Sequence, residues 1–173
     1  MTESRMTNER FWALIDEARA GSHASAPPKQ LSKLLERLDD QEILEFGHKF
    51  YENLCQLNHW NLWAAGHVIT GGMGDDSFHY FWSWIIGKGK LAFDTAMRDP
   101  DELAAFINRQ DVENDDVDNE LLEYVALEVL EGRGIKEDPR ERSDRSPDDE
   151  PAGEPFDEET VATRFPKLAS RLG

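Results

Sequence analysis

The chain has 173 residues, five tryptophans, one cysteine and a formal net charge of −17. Its acidic residues are concentrated in the C-terminal third of the chain. The stretch Asp111–Glu123 holds seven acidic residues and no basic one, and Lys136–Glu159 holds eleven acidic and four basic residues. This charge repels phosphate backbones and anionic membranes, so it argues against nucleic-acid and membrane binding. Because Cys55 is the single cysteine, an internal disulfide is excluded.

The length is typical of one domain, and the N-terminal sequence MTESRMTNERFW lacks the apolar core of a signal peptide. No run approaches the roughly 18 apolar residues of a membrane helix. The sequence therefore predicts a soluble protein of the cytoplasm.

The first third of the chain has the apolar spacing of three amphipathic helices. Thr7 is a candidate N-cap for a helix over roughly 8–20, because its hydroxyl can accept a backbone N–H. A proline pair favours the start of a second helix. Asp39 or Asp40 is expected to cap a third, longer helix that ends near Leu57.

A fourth helix, His59–Ile69, leads into the glycine-rich turn GGMGDD, and a fifth helix follows. The apolar side chains of the fifth helix occupy nearly its whole circumference, which is typical of a helix that is buried on most sides. They are Phe78, Phe81, Trp82, Trp84, Ile85 and Ile86. Shorter helices follow up to Gly132, and no stretch alternates like a strand. The sequence predicts an all-α fold, a compact single-domain bundle of seven or eight helices with an acidic C-terminal tail.

Composition divides the chain into three predicted parts. The helical core domain spans residues 7–134. Residues 135–155 are charged, contain prolines and are nearly free of large apolar side chains, so we expect an acidic, disordered linker. Apolar residues return in 156–173, which we expect to be a short segment that can dock on the core.

The GGMGDD turn is the candidate binding site. Backbone N–H groups at a helix N-terminus attract anions, and Gly71 and Gly72 let a ligand approach closely. However, the turn lacks the lysine of a P-loop and does not follow a strand, and Asp75 and Asp76 would oppose a phosphate. The alternative is that the glycines form a tight turn while one aspartate caps the fifth helix.

Two histidines extend this candidate site. Asp75 and His79 are four residues apart, so they share a helix face and could bind a metal with Asp76 and His67. Single histidines beside apolar helices more often pack or hydrogen-bond, so we expect no metal and no cofactor. Acid–base catalysis would need a pocket and a shifted pKa, so no catalytic residue is assigned. Cys55 has no activating base in a nearby motif, and we expect it to pack.

The aromatic residues of the fifth helix offer a further contact. Trp82 and Trp84 stand about 200° apart on a helix. The two side chains are therefore not easily buried in one direction, and we expect one of them to be an exposed contact. Trp82 joins the candidate binding residues.

Several motifs resemble a bacterial family of uncharacterised domains. They are, in order, FWALIDEARA, LWAAGHVITGGMGDDSFHYFWSWIIGKGKLAF, DPDELA, GEPFDEE and RFPKL. The family is marked by an N-terminal FW-x-LID and a central GG-x-x-DD-x-F. The resemblance implies a helical cytoplasmic domain with no established activity, cofactor or catalytic residue. Relatives often carry an arginine after the phenylalanine that matches Phe81, where this chain has Trp82, so a polar site formed with that arginine would be incomplete here.

The leading functional hypothesis is a small acidic binding, interaction or regulatory module, whose partner is a protein with a basic surface. The alternative hypothesis is a hydrolase or small-ligand-binding domain with its site at the Gly71–His79 turn. We expect no nucleic-acid or membrane partner. Of the two hypotheses, the enzyme is less favoured than the interaction module.

Overall fold

The structure is a computed structural model that describes residues 6–20, 24–71, 75–113 and 119–172. Within these ranges there are nine α-helices, eight of them with seven or more residues, and no β-strand. The helices are α1 (Asn8–Arg19), α2 (Pro28–Leu35), α3 (Asp40–Gln56), α4 (Trp60–Thr70), α5 (Asp75–Gly87), α6 (Lys90–Arg98), α7 (Arg109–Glu113), α8 (Val125–Gly132) and α9 (Pro166–Leu172). Four 3₁₀ segments lie between them: Pro100–Ala105, Glu120–Tyr124, Pro139–Arg142 and Val161–Arg164. The predicted all-α fold is confirmed.

Two helix starts follow from side-chain caps that the sequence predicts. The Arg10 backbone N–H donates to the Thr7 hydroxyl at 3.1 Å at the start of α1. At the start of α3 the Glu42 backbone N–H donates to the Asp39 carboxylate at 2.9 Å, so Asp39 rather than Asp40 is the cap. Each cap satisfies a backbone donor that has no partner within its own helix.

Helix α5 lies at the centre of the fold. It contacts α1, α3, α4, α6 and the 3₁₀ segment Glu120–Tyr124. Its apolar side chains are all at most 2 % exposed, and they are Phe78, Phe81, Trp82, Trp84, Ile85 and Ile86. The buried, all-round apolar helix predicted from the sequence is therefore present.

The expectation that Trp82 or Trp84 is exposed is wrong. Trp82 is 0 % and Trp84 2 % exposed, because neighbouring elements cover opposite faces of α5. The Trp82 ring packs edge-on against the Trp63 ring at a centroid distance of 5.8 Å. The Trp84 ring stacks on the Phe81 ring at 6.0 Å.

Residues 156–172 contact the core through apolar side chains and one carboxylate. Val161, Phe165 and Leu168 are at most 3 % exposed. The buried carboxylate of Asp101 accepts the backbone N–H of Leu168 at 2.9 Å and that of Lys167 at 3.2 Å. Asp101 thus caps the start of α9 from a distant part of the chain.

Residues 135–155 lie along α3 and the start of α4. The 3₁₀ segment Pro139–Arg142 packs on α3 at Gly47. A Cβ atom added to Gly47 would lie 2.7 Å from Pro139 Cγ and 3.0 Å from Ala126 Cβ. The absence of a side chain at Gly47 therefore permits this contact. The division into core, linker and C-terminal segment stays a prediction.

The hydropathy of the sequence predicts no membrane-spanning helix. No helix among the described residues is long and apolar enough to cross a bilayer.

Gly47→Ala tests the contact between α3 and Pro139–Arg142. We expect the free energy of unfolding to fall by up to about 2 kcal/mol, because overpacking costs about 1–3 kcal/mol and the higher helix propensity of alanine returns about 1 kcal/mol. Urea denaturation monitored by circular dichroism measures the change.

Gly132→Ala, at the end of α8, is the matched control, since nothing lies within 4 Å of its added Cβ. It should be neutral or stabilising. Equal effects of the two substitutions would contradict the packing of Pro139 on α3.

Candidate functional site

The predicted glycine turn joins α4 to α5. Gly71 adopts a left-handed conformation with φ 75°, and its N–H donates to the His67 carbonyl at 2.8 Å, which ends α4. An L side chain rarely adopts this φ, so glycine suits the position. Gly72 and the side chains of Asp75 and Asp76 lie outside the described residues, so the predicted aspartate cap remains a prediction.

His79 lies one turn into α5 and contacts two groups. Its Nε2 atom is 3.0 Å from an Asp148 carboxylate oxygen, and its side chain is 22 % exposed. Its ring lies 5.6 Å from the Trp82 ring, at an interplanar angle of 33°. The candidate residues His79 and Trp82 are therefore neighbours, although Trp82 is buried and cannot present an exposed face.

His67 contacts a different part of the chain. It is half-buried on α4, with its ring 5.6 Å from that of Phe156. With Gly71, Val161 and Glu158 it lines a cavity of about 320 Å³. His67 is thus placed against residues 156–172, whereas His79 faces Asp148.

Sequence reasoning missed Glu123, a carboxylate that interacts with His79. Glu123 is half-buried in the 3₁₀ segment that packs against α5. Burial is the largest effect on the pKa of Glu123 and raises it, while the charges of His79 and Arg140 act in the opposite direction. A carboxyl that holds its proton above the usual pH range can exchange protons with a neighbouring base.

Arg140 supports this cluster from the Pro139–Arg142 segment. Its guanidinium donates to both Asp138 carboxylate oxygens, with Nη2 at 2.7 Å and Nε at 3.0 Å. These bonds lower the pKa of Asp138. The Arg140 guanidinium also lies over the Tyr124 ring at 5.7 Å. The charge of Glu123, more than burial, raises the pKa of Tyr124.

We call His79, Glu123, Tyr124, Arg140 and Asp148 the His79 cluster. It combines a carboxyl of raised pKa, a histidine held by an exposed carboxylate, and a fixed guanidinium. Such a set can bind a polar group or move a proton. The described residues contain no group of three or more His, Cys, Asp or Glu side chains arranged to hold a metal ion.

A family model described as "Protein of unknown function (DUF4240)" matches residues 6–131. The chain belongs to this family. The predicted family resemblance is thereby confirmed. The FW-x-LID and GG-x-x-DD-x-F motifs lie within the matched residues, while GEPFDEE and RFPKL follow them. No curated protein and no solved structure matches the chain.

The cysteine of this DUF4240 chain is a poor nucleophile. Cys55 is 4 % exposed on α3, and burial raises the pKa of its thiol to about 11. At neutral pH the thiol is therefore protonated, and only a thiolate attacks efficiently. This agrees with the interpretation of Cys55 as a packing residue.

Glu123→Gln tests the burial of a charge in the His79 cluster. Below the ordinary pKa of 4.5, Glu123 is protonated in the folded and unfolded states and carries no penalty. Between that value and its raised folded pKa, Glu123 ionises in the unfolded state but keeps its proton in the folded state, so the free energy of unfolding falls as the pH rises. We therefore expect the stability of E123Q relative to the wild type to rise as the pH increases above 4.5 and then to level off, measured by urea denaturation at each pH.

The exposed Glu128 on α8 is the control, since E128Q removes the same charge from the surface. If E123Q instead lost stability relative to the wild type with rising pH, attraction to His79 and Arg140 would outweigh burial.

Proposed function

We propose that this DUF4240 chain is a small acidic interaction module that binds a basic protein surface. The observation that carries the proposal is an acidic strip, which we define as residues 144–159. All of its eight acidic side chains are exposed, against one exposed basic side chain, Arg145, which leaves a formal charge of −7. They are Asp144, Asp148, Asp149, Glu150, Glu154, Asp157, Glu158 and Glu159.

The acidic strip is held to the core by backbone hydrogen bonds. The Ala152 N–H donates to the Asn58 carbonyl at 3.1 Å, and the Trp60 N–H donates to the Ala152 carbonyl at 2.8 Å. These bonds tie the strip to the start of α4. A segment that is already ordered loses less conformational entropy when it binds, which favours affinity.

Asn58 is the side chain that anchors the strip. It is 7 % exposed, its amide Nδ2 donates to the Asp149 carbonyl at 2.7 Å, and its Oδ1 accepts the Trp63 Nε1–H at 3.0 Å. A side chain bonded on both sides fixes the strip relative to α4. The exposed carboxylates thereby keep a defined spacing.

The charge of the strip selects the class of partner. Carboxylates attract lysine and arginine side chains and steer a basic protein toward the strip, whereas they repel the phosphates of nucleic acids. Phe156 lies within the strip, with its ring 6.4 Å from that of Trp60, and adds a half-buried apolar contact. Together these features favour a basic protein partner over a nucleic acid.

One observation favours a second candidate function, a hydrolase or small-ligand site at the Gly71–His79 turn. Glu123 is half-buried and has a raised pKa, and the charge of His79 acts on that pKa. A histidine that interacts electrostatically with such a carboxyl has the composition of an acid–base pair.

Neutralising the strip should weaken binding to a basic ligand. The variant replaces Glu150, Glu154, Glu158 and Glu159 by glutamine. Exposed ion pairs contribute about 0.2–1 kcal/mol each, so the dissociation constant of a lysine- and arginine-rich peptide should rise at least about fourfold. Fluorescence anisotropy of the labelled peptide measures it at low and physiological ionic strength.

A second variant tests whether the loss of affinity comes from the acidic strip or from the change in the net charge of the chain. It replaces four exposed glutamates elsewhere by glutamine, namely Glu9, Glu17, Glu36 and Glu131. Both variants change the net charge equally. Equal losses of affinity would show attraction to the molecule as a whole and would overturn the proposal.

The second candidate is tested by turnover of p-nitrophenyl esters and phosphates. His79→Asn should lower the rate by about 100-fold or more if His79 is the general base, because general acid–base catalysis contributes about 10²–10⁴. The exposed His59, replaced in the same way, is the control. An unchanged rate in H79N would exclude this function for His79.

A further inference from the structure

Two adjoining cavities lie at the C-terminal ends of α1 and α5. One, of about 300 Å³, is lined among others by Ser25, Trp84 and Asn119. The other, of about 420 Å³, is lined among others by Arg19, Phe106 and Arg171. They share Ala24, Lys88 and Asp111. We call the two cavities together the Lys88 cleft, and their volumes fall in the range of small-molecule sites.

The Lys88 cleft has the opposite charge to the rest of the chain. Among its described lining residues are three cations, Arg19, Lys88 and Arg171, and one carboxylate, Asp111. The whole chain carries −17. A convergence of cations in a concave region of an acidic protein concentrates positive potential there.

Lys88 is the buried member of this group. It is 7 % exposed, and its Nζ atom lies 5.3 Å from the centre of the Trp84 ring. Burial lowers the pKa of Lys88, the nearby charge of Arg19 lowers it further, and Asp111 raises it. Burying a lysine costs stability, so buried lysines are rare in proteins. A buried lysine that lines a cleft is therefore a candidate binding residue.

The remaining polar groups of the cleft hold its wall in place. The Ser25 hydroxyl donates to the Trp84 carbonyl at 3.0 Å. The Asn119 amide donates to the Ser25 hydroxyl and to the Ala26 carbonyl, both at 2.8 Å. On the other side the Arg171 Nε–H donates to the Ile107 carbonyl at 3.2 Å. These bonds preorganise the cleft.

Apolar surface accompanies the cations. Trp84, Pro27 and Pro28 line one cavity, and Phe106 and Ile107 line the other. A bare inorganic anion would leave this surface uncovered. A ligand with both an anionic group and an apolar or aromatic body uses both parts of the cleft.

We propose that the Lys88 cleft binds a small organic anion, in which a carboxylate or phosphate group contacts Lys88, Arg19 and Arg171 and an apolar body packs against Pro27 or Phe106. This site is separate from the acidic strip and from the His79 cluster. It stands whether or not the chain binds a basic protein.

The test is an NMR titration of the full chain with three probes that share a benzene ring. Phenyl phosphate and benzoate carry the two anionic groups, and benzyl alcohol is the neutral comparison. We expect saturable shifts of the Lys88, Asp111 and Arg171 amide signals with at least one anion at low-millimolar concentration. The anion with the lower dissociation constant shows whether the cleft prefers a phosphate or a carboxylate group.

Three variants locate the binding. Lys88→Met keeps an apolar side chain and removes the charge, and the exposed Arg171→Gln is a second variant that does not alter the buried base of the cleft. Each should weaken the anion about tenfold or more, since hydrogen bonds to charged groups contribute about 1.5–3 kcal/mol. Lys136→Gln removes an exposed charge that does not line the cleft and should leave the affinity within about twofold.

Three results would overturn the proposal. The first is no saturable shift with either anion. The second is equal binding of benzyl alcohol, which would show that charge is not recognised. The third is an equal loss of affinity in K136Q and R171Q, which would show general attraction to surface cations.

Discussion

The burial of α5 on all sides is the constraint on which the other elements depend. A helix with apolar side chains around its circumference is stable only if every face is covered, and here four helices and a 3₁₀ segment cover it. The packing takes precedence over hydrogen bonding at two positions. Trp82 Nε1 and Ser83 Oγ are buried with no hydrogen-bond partner among the described residues. Such groups cost about 1–3 kcal/mol each, so apolar burial around them outweighs that loss.

The features that sequence predicted correctly are those encoded locally. The Thr7 cap lies three residues from its donor, and the apolar pattern of α5 lies within one helix. The sequence could not show that His79 meets Asp148, 69 residues away, because no periodic signal links them. The expectation of an exposed tryptophan assumes that a helix has one buried face. That assumption fails for a helix enclosed by neighbours.

Hydrogen bonds from core side chains to the main chain help to hold the residues beyond 134 against the core, and they matter most for 135–155, which contain few large apolar side chains. Composition counts the apolar area that a segment can bury, and by that measure 135–155 offers little. Composition does not reveal hydrogen bonds to the backbone. The Asn58 amide donates to the Asp149 carbonyl. The Asp101 carboxylate accepts the backbone N–H groups of Lys167 and Leu168. Two polar side chains of low exposure thus fix the C-terminal part of the chain at two points. Their partners are 66–91 residues distant, which places them beyond any sequence pattern.

Helix α5 also separates the two regions of opposite charge. His79, near its start, contacts Asp148 of the acidic strip, and Lys88 follows its last residue. Nine residues of helix span about 13 Å, whereas the Debye length at physiological ionic strength is about 8 Å. Charges exposed at the two ends are therefore largely screened from each other. We therefore expect the charge of a ligand in the Lys88 cleft to have little effect on the binding of a partner to the strip. Opposite charges can then coexist on one small domain without neutralising each other.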